Sequence, residues 1–389
     1  MAQFERPPYR PSNRRDDKRK GKRPGGRRVL ERLEPLEDRV TPVVTAEAIT
    51  DTLMVTMDGA GDHAFLSFDG TNVNVDDSAA GGSNKGSFAG ITDIIVLDMG
   101  TEAGQRATFS GGTAFTQNVT AAGVETIDAF QQIGGTVAGD AAAVNVDDPG
   151  QIQDGIAFAA PGAAVNVAAG TFDEDVLLNK PGLRLLGAGP GVTTIRGVIG
   201  GDGATVRVGA SGVEVAGFTI TRLGNNPADW NDPNLNFAGI AVQGAATGML
   251  VHDNLITGNR TGIDVNNSSG HTIRNNVIDF NHTGLIFRNQ TDDLVVEENA
   301  ITNNRTIGVL FLDASFGTNV PPQQALNSRF FNNNISGNWY AQVVDRQAGG
   351  NLPAPGTTNL KDFSGNWFGT STPVITDADT TEPGYASLI

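Results

Sequence analysis

The chain has no cysteine, four histidines, and only three tryptophans and three tyrosines among 389 residues. Without cysteine there is no disulfide framework, although that says nothing of the compartment. Four histidines are too few for a His-based metal centre. No stretch approaches about 18 consecutive apolar residues, so no transmembrane helix is expected. No apolar run of roughly 7–15 residues follows the basic N-terminus, which excludes an ordinary secretory signal. Zinc-ligand clusters, nucleophile elbows and phosphate-binding loops are all missing.

What is abundant is glycine, at 50 residues, with many Val, Ile, Thr and Asn. That mixture suits closely spaced strands and tight turns. Between Gly239 and Asn304 the chain repeats itself, with a period of about 22 residues. Gly239-Ile240-Ala241-Val242, Gly262-Ile263-Asp264-Val265 and Gly284-Leu285-Ile286-Phe287 each lead into a second and third short apolar run. Side chains within a run alternate, which is the period of a strand. Three short strands and three turns make one coil of a parallel β-helix, in which successive coils stack about 4.8 Å apart. Asn254, Asn276, Asn299 and Asn333 recur in register, and a second Asn follows five residues on at Asn259, Asn281, Asn304 and Asn338. Such columns can satisfy the backbone groups of buried turns and bond to the Asn above and below.

On these residues the segment 148–369 resembles right-handed parallel β-helix repeat proteins, the pectate-lyase-like superfamily that includes NosD-like proteins. The run from Gln151 to Phe172 is similar to the opening of many of them, a capping helix and then a first coil. The expected fold is all-β: a right-handed single-stranded parallel β-helix with an N-terminal capping helix, preceded by a β-rich segment and a disordered basic N-terminus. The expected divisions are a leader at 1–42, a β-rich domain at 43–146, the β-helix at 147–370 and a polar tail at 371–389. The helix is placed over 149–159, with Asp148 as N-cap and Pro149 as first residue, covering the open end of the solenoid. Irregular early coils are the alternative for 43–146.

Charge divides the chain. Residues 1–39 hold 13 Lys/Arg and 7 Asp/Glu against a total of −16, which leaves −22 for residues 40–389. The folded part is therefore acidic, which argues against nucleic acid as a partner. The string Leu33-Glu34-Pro35-Leu36-Glu37-Asp38-Arg39-Val40-Thr41-Pro42 resembles the basic leader of bacterial exported and surface β-proteins. The resemblance implies an exported, extracellular or cell-surface protein whose partner is a polysaccharide or cell-envelope component.

Function in repeat proteins sits on inserts that cluster on one face. Three inserts, 222–237, 313–325 and 345–358, all flank the Gly-Ile-x-Val sheet, so a groove there is the candidate site. Its outward positions are Ala241, Gln243, Asp264, Asn266, Ile286 and Arg288. The turn entering it forms a column of Arg260, His282, Arg305 and Trp339, suited to carboxylates of a uronic-acid polymer, with Trp230 and Trp339 able to stack on sugars. Resemblance to polysaccharide lyases nominates Asp264 and Arg288 as the catalytic pair. Resemblance to polygalacturonases fails: Gly270-His271 precedes Asp292-Asp293, both lie off the sheet, and Arg-x-Lys is missing. No cofactor is expected, with calcium possible at the Gly59-Ala60-Gly61-Asp62 and Asp76-Asp77 turns. The reading is a non-catalytic carbohydrate-binding, structural or adhesive protein, with a polysaccharide lyase as the alternative.

Overall fold

The computed structural model describes residues 43–77, 84–200, 203–224, 226–232, 234–235, 237–313, 323–346 and 359–374. The basic leader, nearly all of the polar tail and most of the second and third inserts lie outside the described residues.

A right-handed parallel β-helix runs through them. Its backbone is a 13-stranded sheet, the long sheet, extending from Asn84–Ala89 at one edge to Arg329–Phe331 at the other. One inward column shows the continuity. Ala64, Ala107, Ile127, Val144, Val165, Leu185, Val215, Val251, Ile273, Val296 and Phe330 stand in register rung after rung. All are buried. Full burial of a branched side chain contributes about 1.5–3 kcal/mol, so the column is a large share of the core. The expected division at 146/147 is therefore not present: Ala141–Val146 pairs in parallel with Ala159–Val167 across it. The chain from Thr41 on forms one unit.

The coils differ along the axis. Before residue 147 they close with a five-stranded sheet. Beyond residue 170 they close with two seven-stranded sheets. One, the Leu-Ile-Thr sheet, runs from Gly170–Phe172 to Asn334–Ser336. The other, the Gly-Ile sheet, runs from Val176–Leu178 to Ala341–Arg346. The helix forms at Ile152–Phe158 and buries Ile152, Ile156 and Phe158. Coils continue on both sides of it, so it lies within the solenoid instead of covering an open end. Asp148 does not cap it. Glu174 from the next coil does, its carboxylate accepting the amides of Ile152 (2.7 Å) and Gln153 (3.0 Å). Burial pushes the Glu174 carboxyl up to about 7, and the nearby Asp154 carboxyl up to about 6. The starting end is blunted by antiparallel strands: Asn72–Asp76 folds back on His63–Phe68, Asn84–Ala89 on Asn72–Asp76, and Val44–Ile49 on Thr52–Met57. Antiparallel edges of this kind interrupt the parallel template.

The asparagine columns are as the repeat implies. Asn276 Oδ1 accepts the Asn254 amide and side chain, both at 3.1 Å, and its Nδ2 donates to the carbonyls of Val251 and Arg274 and to Asn299 Oδ1. The series continues through Asn299 and Asn333 to Asn366, and the second column runs from Asn259 through Asn281 and Asn304 to Asn338. The left-handed residue of each corner is the one before the column Asn: Asp253, Asn275, Glu298 and Asn332 all have φ between 50° and 58°. The glycine opening each Gly-Ile strand answers a different need. A Cβ on Gly262 would meet the Gly284 carbonyl oxygen at 2.6 Å and Ile278 at 2.7 Å.

Candidate functional site

The outward face of the Gly-Ile sheet is set by register. Leu177, Arg207, Ala241, Asp264, Ile286, Leu310 and Val344 form one outward column. Gln243, Asn266, Arg288, Leu312 and Arg346 form the next. The corner column is in register as well: the amides of His282, Arg305 and Trp339 donate to the carbonyls of Asn259, Asn281 and Asn304.

Most of this face is not open. Ala241, Asp264, Ile286, Leu310 and Leu312 are buried although they point away from the main core. The first insert covers part of it. Its stem is held by Arg222, fully buried, which reaches Asp175 at 3.4 Å, Thr205 at 3.3 Å and the Val198 carbonyl. Trp230, at 3% exposed, lies beneath the Arg305 guanidinium, 5.2 Å from ring centre to Cζ. Phe237 receives Arg288 in the same way at 5.8 Å. Both are cation–π contacts. Trp230 therefore does not offer its ring to a sugar as the sequence reading expects; Arg305 occupies it. Trp339 is half exposed and stands beside Tyr340, ring centres 6.3 Å apart.

Asp264 and Arg288 come together, as an ion pair of 2.7 Å between Arg288 Nη2 and Asp264 Oδ2. Asp264 is 0% exposed. Burial pushes its carboxyl above the ordinary range, and Arg288 and Arg260 pull the other way. The carboxylate is thus sealed from solvent in this arrangement. His282 is buried beside Thr283 Oγ1 and is pushed down to about 4, by burial first and then by Arg260 and Arg305. The column is therefore two cations flanking a neutral imidazole, which removes the repulsion three charges would bring. Gly270-His271 and Asp292-Asp293 serve the turns at another corner: His271 Nδ1 accepts the Met249 amide, and Asp292 accepts the Leu326 amide and the Gln324 side chain.

The same face opens next to the insert. A groove of about 390 Å³ has Leu177, Ala204, Val208 and Ala241 as its apolar floor, Phe237 as a wall, and Arg207 and Gln243 exposed at its rim. Sequence reasoning missed Arg207 and Phe237. Val206-Arg207-Val208 carries the same in-out-in pattern as Ile263-Asp264-Val265, and placing it two rungs earlier would have found the arginine.

Metal ligation does not fit the residues present. Calcium takes 6–8 oxygen ligands. At the Gly59 turn Asp62 Oδ2 accepts the amides of Asp58 (3.0 Å) and Gly59 (2.8 Å), leaving one carboxylate oxygen without a partner among the described residues. Asp77 pairs with Lys85 at 2.9 Å. Among the described residues no three His, Cys, Asp or Glu side chains converge.

A family model described as "Periplasmic copper-binding protein (NosD)" matches residues 197–352, less than half of the chain. Among the described residues the donor set does not fit the copper of that description, since copper sites draw on clustered His, Cys or Met. Two crystal structures of mutants of the periplasmic alginate epimerase AlgG are similar at 11% identity. One covers 82% of this chain and 84% of its own with a TM-score of 0.36, the other 76% and 85% with 0.37. No curated protein matches the chain. No helix among the described residues is long and apolar enough to cross a membrane.

Proposed function

We propose that this protein is an exported parallel β-helix that holds an acidic polysaccharide along the Gly-Ile sheet and does not cleave it. The observation that carries the reading is the placement of its cations. Residues 40–389 contain 14 Lys/Arg. Arg207, Arg288 and Arg346 point outward from this one sheet, and Arg260 and Arg305 stand at the corner that enters it. With residues 40–389 at net −22, such a stripe gathers charge complementary to a polyanion on one sheet. The groove beside Phe237 supplies apolar floor for a sugar ring and a guanidinium at its rim for a carboxylate. The non-catalytic part rests on Asp264, whose burial and ion pair give it a role in seating the insert. Export rests on the leader and on the family description's word "periplasmic".

The test uses polygalacturonate and alginate, each with calcium. Binding should weaken at least tenfold in Arg207→Ala and fall steeply with added NaCl. Ultraviolet absorbance should register no unsaturated product. Sustained turnover, lost in Asp264→Asn, would establish the lyase reading instead.

A further inference from the structure

The Leu-Ile-Thr sheet presents a face unlike the other two. From Thr219 to Ser336 its outward strand positions carry a single ionisable side chain, Asp279. Over the same coils the long sheet shows Glu214, His252, Arg274, Glu297 and Arg329 outward, and the Gly-Ile sheet shows its arginines. Uncharged surface costs less to strip of water than charged surface, and uncharged surface on so acidic a body has no electrostatic claim on a charged partner.

Two aromatic rings stand out of this face. Trp367 bridges to Asn334, in the column of Val277 and Ala300, and is 51% exposed. Phe280 is 58% exposed at the corner of the same face. Three rungs at about 4.8 Å place the two rings about 14 Å apart along the axis. Phe280 is also in the wrong conformation for its type. The second Asn column aligns Gly258, Phe280, Asn303 and Gly337, and all four have positive φ, 51° at Phe280. Glycine and asparagine accept that conformation, whereas a bulky residue there is strained. An exposed ring held in a strained backbone, where three aligned positions use tolerant residues, marks a position selected for something other than folding.

We infer that this face is a flat binding surface for an uncharged polysaccharide. Sugar rings present an apolar C–H face to Phe280 and Trp367, and their hydroxyls meet Thr257 and Thr302, which stand one rung to either side of Asp279 in the outward column next to Phe280. A second copy of the chain is a poorer occupant, because two chains of net −16, each with −22 over residues 40–389, repel as they approach. The inference stands apart from the arginine face, since the residues differ and the sheets differ.

The test is depletion of the full chain from solution by microcrystalline cellulose and by chitin. Wild type should be depleted to the same extent at low and high NaCl. Phe280→Asn with Trp367→Ala should weaken binding at least tenfold with a melting midpoint no lower than that of wild type, and Phe280→Asn alone severalfold. Arg207→Ala should bind cellulose and chitin as wild type does, which separates this face from the arginine one. No depletion by either polymer overturns the inference, as does wild-type depletion of the aromatic variants. Steep salt dependence overturns it by returning the binding to the arginine face. Self-association of wild type, abolished in the aromatic variants without any glycan binding, overturns it in favour of a second copy.

Discussion

The coils before residue 147 and those after residue 239 share one inward column and almost nothing else. The later coils turn three corners and stitch two of them with asparagine. The earlier coils close with two sheets and use no such stitch among the described residues. They turn on glycine, aspartate and buried glutamine: Asp62 and Asp98 hold turn amides, as does Asp69 at the Asp69–Asn72 bend, and Gln105, Gln117 and Gln131 donate to the preceding coil's carbonyls at Gly59, Ile91 and Gly111. A parallel solenoid therefore does not need the ladder. In the later corners each inward Asn replaces water for the amide of the Asn one coil earlier and for a carbonyl in each of the two coils, as Asn276 does for Asn254, Val251 and Arg274.

The two regions also hold an Arg–Asp pair each on an outward face, and these give the largest expected contrast. Arg106 donates to Asp128 through two nitrogens at 2.5 and 2.7 Å, with its own side chain 42% exposed. Arg288 and Asp264 are far drier, at 19% and 0%. Asp264→Ala leaves buried guanidinium uncompensated and should cost about 3–5 kcal/mol, read as a drop in the denaturation midpoint. Arg106→Ala should cost less, since Thr108 and Asn145 still donate to the Asp128 carboxylate it leaves behind. Equal losses would mean that the insert does not seal Asp264.

Removing one rung of the ladder comes next. Asn276→Ala strands the Asn254 amide and two carbonyls and should cost about 2–4 kcal/mol. Asn145 donates from the exposed face of the early coils to Asp128 at 2.9 Å, and Asn145→Ala should cost no more than about 1 kcal/mol. Paired denaturant curves decide whether the ladder carries the stability assigned to it.

The junction between the regions should respond to pH. Glu174 and Asp154 have folded values raised to about 7 and about 6 by burial. Raised carboxyls bind protons more tightly in the folded state, so their contribution is complete below the unfolded values and is lost as pH rises through about 6 to 7. Burial is the largest single influence on Asp128 and pushes it up, but Arg106, Asn145 and Thr108 together hold it low; Glu214 and Asp253 are held low first by Arg184 and His252, with burial opposing, and all three act the other way in acid. The melting midpoint should fall from pH 5.5 to 8, and Glu174→Gln should flatten that slope. A midpoint flat in wild type would show that Glu174 is not buried against the helix. The smallest effect is at Phe280: replacement by Asn should raise stability by about 1 kcal/mol, because only strain is removed.

The repeat was legible because asparagine was chemically required. A column of Asn hydrogen-bonded to Asn tolerates no substitute, and the reader sees the period at once. The early coils were not legible as coils. Their inward positions, such as Ala64, Ala107 and Ile127, ask only for a small or branched apolar side chain, and their turns vary in length. The same reasoning explains the site. Register placed Asp264, Arg288, Arg260, His282 and Arg305 correctly, since register follows from the period. Whether those groups meet water was not legible, because that depends on where the first insert lies.

Sequence alone thus determined the solenoid, its asparagine corners, the acidic body and which side chains point out of which sheet, since each follows from local pattern and composition. Tertiary structure decided that residues 43–146 continue the same sheet, that Glu174 caps a helix 22 residues before it, and that Trp230 lies under Arg305. Those contacts join segments whose own local patterns carry no trace of one another, and only the folded chain brings them within reach.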